Sequence, residues 1–79
     1  MTMNTVLSGA LHLVNDNGLR GISEAAIHRS FPVPNTTAAQ ISGGMDDLAE
    51  AGYVKRTIKT RTGGWVYVVT SAGTAALAE

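Results

Sequence analysis

Four of the chain's six basic residues, Lys55, Arg56, Lys59 and Arg61, fall within seven positions, and no acid lies between Gly52 and Thr74. A cluster of this kind suits a phosphate backbone. It is also what the solvated face of an ordinary hairpin carries, so density alone does not decide between binding and solubility. The charge pattern reverses just before it: from Asn35 to Gly52 there are Asp46, Asp47 and Glu50 but no Lys or Arg. Trp65, the single tryptophan, stands close to the basic run. An indole near a hairpin tip suggests an interface, although it can equally fold over the aliphatic stem of Lys59.

The other reactive side chains form no catalytic arrangement. His12 and His28 each lack a second histidine on their own helix, so exposed surface histidine is favoured over metal binding. Serines and aspartates are present, yet no motif sets a nucleophile beside a base. Gly63-Gly64 is not followed by the Lys-Ser/Thr and helix of a phosphate loop. These residues point away from an enzyme, with no cofactor and no metal expected.

The chain of 79 residues with no cysteine is expected to form one domain, 1–79, burying roughly 60 to 65% of the surface its unfolded chain exposes. No disulfide or thiolate site can supplement so small a core. No apolar run approaches the ~18 residues of a membrane span and no signal segment is evident, so a soluble cytoplasmic protein is expected. Formal net charge is zero, which leaves the local segregation of charge as the informative feature.

Hydrophobic spacing sets the frame that must position these groups. From residue 3 to 16, Met3, Val6, Leu7, Ala10, Leu11, Leu13 and Val14 fill an arc of about 160°, wide enough to touch two other elements. Thr2 or Asn4 can cap this helix, and Asn17-Gly18 can end it. A short extended segment at 19–22 can add a strand. Ser23 is the expected cap of a second helix at 24–30, turning Ala26, Ile27 and Phe31 inward and stopped by Pro32 and Pro34. A third helix is expected at 37–51, with Ala38, Ile41, Met45 and Leu48 facing in and Thr36, Ala39, Gln40, Gly43, Asp47 and Glu50 facing out. Gly43-Gly44 within it costs roughly 0.8–1 kcal/mol per glycine against alanine. Either a crossing helix needs the room at Gly44, or Ala39 and Gly43 leave a smooth surface for close approach by a partner.

The segment 52–70 reads as a hairpin, with strands at about 53–62 and 65–70 joined by a two-residue Gly63-Gly64 turn. That turn predicts the pairs Thr62 with Trp65, Thr60 with Tyr67 and Ile58 with Val69. One face then collects Val54, Ile58, Tyr67 and Val69, while Lys55, Thr57, Lys59 and Arg61 share the other and Arg56 points away from them. A short alanine-rich helix at 71–78, capped by Thr70 or Ser71, closes the chain.

In this order, the segment SEAAIHRSFPVPNTTAAQISGGMDDLAEAGYVKR resembles the helix-turn-helix and wing entry of MarR-like, IclR-like and PadR-like bacterial transcriptional regulators. WVYVVTSAGTAAL is similar to their recurrent strand, threonine and glycine-bearing last helix. The resemblance spans roughly residues 18–77 and implies an α+β winged helix: a three-helix core, an antiparallel wing hairpin of two or three strands and a short C-terminal helix. It implies a double-stranded DNA partner, with Thr36, Thr37 and Gln40 in the major groove and Lys55, Lys59 and Arg61 on the phosphates. Gln40 is the expected base reader, since its amide can bond bidentately to adenine. The alternative is a winged helix used for protein contacts, as an adaptor or inhibitor of a nucleic-acid machine from a host or phage. Trp65, Ala39, Gly43 and Asp47 would then form the interface with a protein partner or a second copy.

Overall fold

The computed structural model describes residues 3–62 and 64–78 as four helices and a three-stranded antiparallel sheet, an α+β arrangement. Helix α1, Thr5–Asn17, starts later than its apolar pattern because Asn4 caps it, its side chain accepting from Leu7 N at 2.8 Å. Thr2, the other predicted cap, lies outside the described residues. The buried stripe of α1 is Leu7, Ala10, Leu11 and Val14, which recur every three to four residues and face the rest of the core.

After a single 3-10 turn at Gly18–Arg20, strand β1, Ile22–Ser23, pairs with the last strand. The expected short strand therefore exists, but Leu19 is not part of it and is 95% exposed. Gly21 makes the entry possible: its φ is +78°, and a Cβ there would lie 2.8 Å from a Val66 methyl. Ser23 then caps α2, Glu24–Arg29, with Ile27 buried and Phe31 against Gly9 of α1.

Helix α3, Ala38–Glu50, buries Ile41, Gly44, Met45 and Leu48. Ala38, expected inside, is exposed, because it lines the cleft beside α2 rather than the core. Gly44 is where α1 crosses, with Val6 and Leu7 side chains 3.4 and 3.5 Å from the place of a Cβ; at Gly43 that place is open. The C-terminus closes by a Schellman motif, with Tyr53 N donating to Leu48 O at 2.9 Å and Gly52 N to Ala49 O at 3.1 Å. Gly52 supplies the positive φ that this motif needs.

Strands β2, Val54–Lys59, and β3, Trp65–Val69, complete a sheet of order β1-β3-β2. Their register corrects the two-residue turn. Val54 is opposite Val69 and Arg56 opposite Tyr67, whereas the predicted pairs put Ile58 opposite Val69 and Thr60 opposite Tyr67. β2 ends at Lys59, earlier than expected, and Thr60 N donates to Gly64 O at 2.9 Å, so the connection is longer than a tight Gly-Gly turn. Gly63 itself lies outside the described residues. An irregularity between Arg56 and Lys59 shifts the pairing by one, so that Lys59 faces Trp65. Ile58, predicted to pack beneath the sheet, is 66% exposed as a result.

Helix α4, Ser71–Leu77, is capped by Thr70 and buries Gly73, with Ala76 and Leu77 half-buried against the core. Ala72 and Ala75 of this alanine-rich helix are exposed. The reason is the close seating of Gly73, where a Cβ would overlap the Tyr53 carbonyl oxygen. That approach sets which side of α4 meets the sheet. The core closes on Tyr67, its largest fully buried side chain.

Candidate functional site

The first turn of α3 is built around a capping box. Thr37 Oγ1 accepts from Gln40 N at 3.1 Å, and Gln40 Oε1 accepts from Thr37 N at 2.8 Å. Thr37 and Gln40 are both exposed, but the amide oxygen of Gln40 is already committed. Gln40 can present its NH2 group without disturbance, whereas bidentate adenine recognition requires half the box to open, a cost of about 0.5–2 kcal/mol on the scale of lost caps. Thr36 is half-buried and donates its hydroxyl to Val33 O at 2.9 Å, while its carbonyl accepts from His28 Nε2 at 3.0 Å. Thr36 therefore braces the turn between α2 and α3. The turn itself uses Asn35 at φ 65°, a left-handed conformation that asparagine tolerates.

Along the outward side of α3, Ala39, Gly43 and Asp47 are exposed at successive i, i+4 positions. No side chain of the described residues comes within 4 Å of a Cβ built at Gly43.

The hairpin does not present its cations on one face. Lys55 is opposite Val68 and lies on the outer side of the sheet, while Arg56 and Lys59 are opposite Tyr67 and Trp65 and lie on the helix side. This corrects the shared face predicted for Lys55, Thr57, Lys59 and Arg61; the irregularity after Arg56 is the cause. Lys59 Nζ stands 6.0 Å from the centre of the Trp65 ring, and Trp65 is half-buried, so the indole carries the lysine rather than standing free. Arg61 is exposed in the connection.

Arg56 holds the hairpin to the helices. Its Nε donates to Tyr67 Oη at 3.3 Å, and its guanidinium forms an ion pair with Asp46 of α3. Tyr67 Oη in turn donates to Glu24 Oε1 of α2 at 2.8 Å. Burial is the main reason that the Tyr67 hydroxyl is pushed up from 10.0 to about 12; Arg56 opposes that shift and Glu24 adds to it. The chain Asp46–Arg56–Tyr67–Glu24 thus ties α3, β2, β3 and α2 together and removes Arg56 from the cations free to meet a partner.

A second contact fixes the tip. Gly64 sits so close to Glu24 that a Cβ there would lie 2.7 Å from Oε2 and 3.2 Å from the Glu24 Cβ. Glu24, Ala25, His28, Ala38, Ile41, Thr62 and Gly64 line a cleft of about 240 Å³ between α2, the start of α3 and the hairpin tip. The tip and the first turn of α3 are therefore neighbours, which brings Arg61 and Lys59 to the same end of the molecule as Thr37 and Gln40.

Sequence reasoning missed Glu24, Asp46 and Tyr67 as a set. Only Arg56 gave a signal, as the one cation of the run on the face opposite its neighbours. Among the described residues, no group of three or more His, Asp or Glu side chains converges as a metal site would need. No helix among them is long and apolar enough to cross a membrane. Comparison with protein-family models, with curated proteins and with solved structures finds no match to this chain. The site must be read from its own geometry.

Proposed function

We propose that this chain is a small DNA-binding winged helix-turn-helix protein that acts as a transcriptional regulator. The start of α3 enters the major groove, with Gln40 offering its free NH2 group to base acceptors and Thr37 close to the backbone. Lys59 and Arg61, at the tip of the wing, neutralise phosphates beside that groove, and Lys55 adds attraction from the outer face. The observation that carries this reading is the shared cleft, which sets the basic hairpin's tip beside the exposed, acid-free start of α3. Arg56 and Tyr67 hold the wing at a fixed angle, so little ordering is left to be done on binding.

A second reading is a winged helix that binds protein, and it is favoured by α3 itself. Its outward side has no cation, carries exposed Asp47 and leaves open space at Gly43. Binding of a random DNA duplex at low salt separates the two. Under the first reading the duplex binds, and Lys59→Glu with Arg61→Glu abolishes it. Absence of duplex binding, together with capture of a host protein that is lost on Asp47→Lys or Trp65→Ala, would replace it with the second.

A further inference from the structure

We propose that the cleft between α2, α3 and the hairpin tip is a binding site for a small organic cation, an amidinium, guanidinium or primary ammonium attached to an apolar body. The site is the same cleft on which the DNA reading rests, but ligand binding in it does not require DNA. The cleft is about 240 Å³, and its floor includes Ala25, Ala38 and Ile41, of which Ile41 belongs to the core. Such a floor takes a flat apolar group of ring size.

The polar lining is unbalanced towards acceptors. Glu24 is a carboxylate, half-buried, and among the described residues only its Oε1 has a donor, the Tyr67 hydroxyl at 2.8 Å. Oε2 is directed towards the tip, where it approaches Gly64. His28 lies one turn along the same helix. Its Nε2 must carry the hydrogen, because the group it meets at 3.0 Å is the Thr36 carbonyl, which can only accept. In the neutral ring Nδ1 is then an acceptor as well. Thr62 contributes a hydroxyl that can serve either way. A ligand with several N–H donors and a positive charge satisfies this lining; an anion does not.

The competing influence is the positive end of α3 at Ala38. A helix terminus carries about half an elementary charge against the full charge of a carboxylate. Here the capping box has already satisfied part of it. Glu24 is the carboxylate among the residues that line the cleft, and the cations of the hairpin tip, Lys59 and Arg61, are not lining residues, so the immediate lining favours a cation.

Benzamidine is a suitable probe, with benzoate and benzyl alcohol as anionic and neutral counterparts of similar shape. Titration of the 15N-labelled full chain should give saturable shifts at the backbone amides of Ala25, His28, Ala38 and Gly64 with benzamidine. The two counterparts should bind about tenfold or more weakly, because they lose the charge-assisted hydrogen bonds. Glu24→Gln keeps an acceptor for Tyr67 but removes the charge, and should weaken benzamidine by a similar factor. Ala38→Leu, at an exposed helical position, should abolish binding by filling the cleft while leaving the fold intact. Equal shifts with benzoate or benzyl alcohol, or benzamidine shifts unchanged in both variants, would overturn the proposal. So would the absence of saturable shifts in the native chain.

Discussion

Replacing the helical glycines with alanine tests whether the packing of this chain requires them or leaves them for another purpose. At Gly43 a Cβ would meet nothing within 4 Å, and at Gly44 it would make ordinary contacts of 3.4 and 3.5 Å with Val6 and Leu7. Each substitution should therefore recover the helix propensity that glycine gives up, about 0.8–1 kcal/mol. For a domain of this size that raises Tm by roughly 4–8 °C per kcal/mol. Gly73 is the internal contrast, because its Cβ would overlap the Tyr53 carbonyl oxygen and come 2.9 Å from a Val69 methyl. There the propensity gain is outweighed by overpacking, typically 1–3 kcal/mol, and α4 must move off the strand entry where Thr70 N donates to Tyr53 O. Thermal and urea unfolding of the three single variants, followed by circular dichroism, gives the order directly. A destabilised Gly43→Ala, or a Gly73→Ala as stable as the native chain, would refute the reasoning. If Gly43→Ala is more stable yet loses a partner, the outward side of α3 is an interface.

Three further variants test the network around Tyr67 and the start of α3. Tyr67→Phe leaves Glu24 and Arg56 without their shared partner and should cost about 1–3 kcal/mol in urea unfolding. The same variant has a pH signature. The folded chain holds the phenolic proton more tightly than the unfolded chain, so this stabilisation is complete below about pH 10 and is lost as pH rises through about 12, and Tyr67→Phe should flatten that decline. Asp46→Asn should cost less than about 1 kcal/mol, since its ion pair with Arg56 is solvent-exposed, and this is checked by the same unfolding assay. Thr37→Ala removes the cap of α3 and should lower stability by about 0.5–2 kcal/mol, with loss of amide protection in the first turn by hydrogen exchange.

The helices were legible because their periodicity and caps are local. Asn4, Ser23, Thr37 and Thr70 each occupy the position their side chains favour, and the inward residues Ile41, Met45 and Leu48 follow from spacing alone. Hairpin register was not legible, because a Gly-Gly pair specifies a turn without specifying the loop length. A single irregularity between Arg56 and Lys59 then moved Ile58 into solvent and Lys59 to the other face. Gln40 lies in α3 with Thr37 as its cap, and Lys55 and Lys59 lie in β2, but Thr36 falls in the turn before α3 and Arg61 in the connection after β2, and the partners of these side chains were not readable. The commitment of Gln40 Oε1 to Thr37, and of Arg56 to Asp46 and Tyr67, depends on contacts between side chains whose rotamers no sequence pattern encodes.

The salt dependence of duplex binding tests the proposed DNA contact most directly. With Arg56 held by Asp46 and Tyr67, three hairpin cations remain for phosphate, so log K against log salt should fall with a slope of about −2.7. Lys59→Gln with Arg61→Gln should reduce that slope to about −0.9, the value for one remaining contact. A slope that does not change in the double variant, or a native chain that binds no duplex at low salt, would contradict the account.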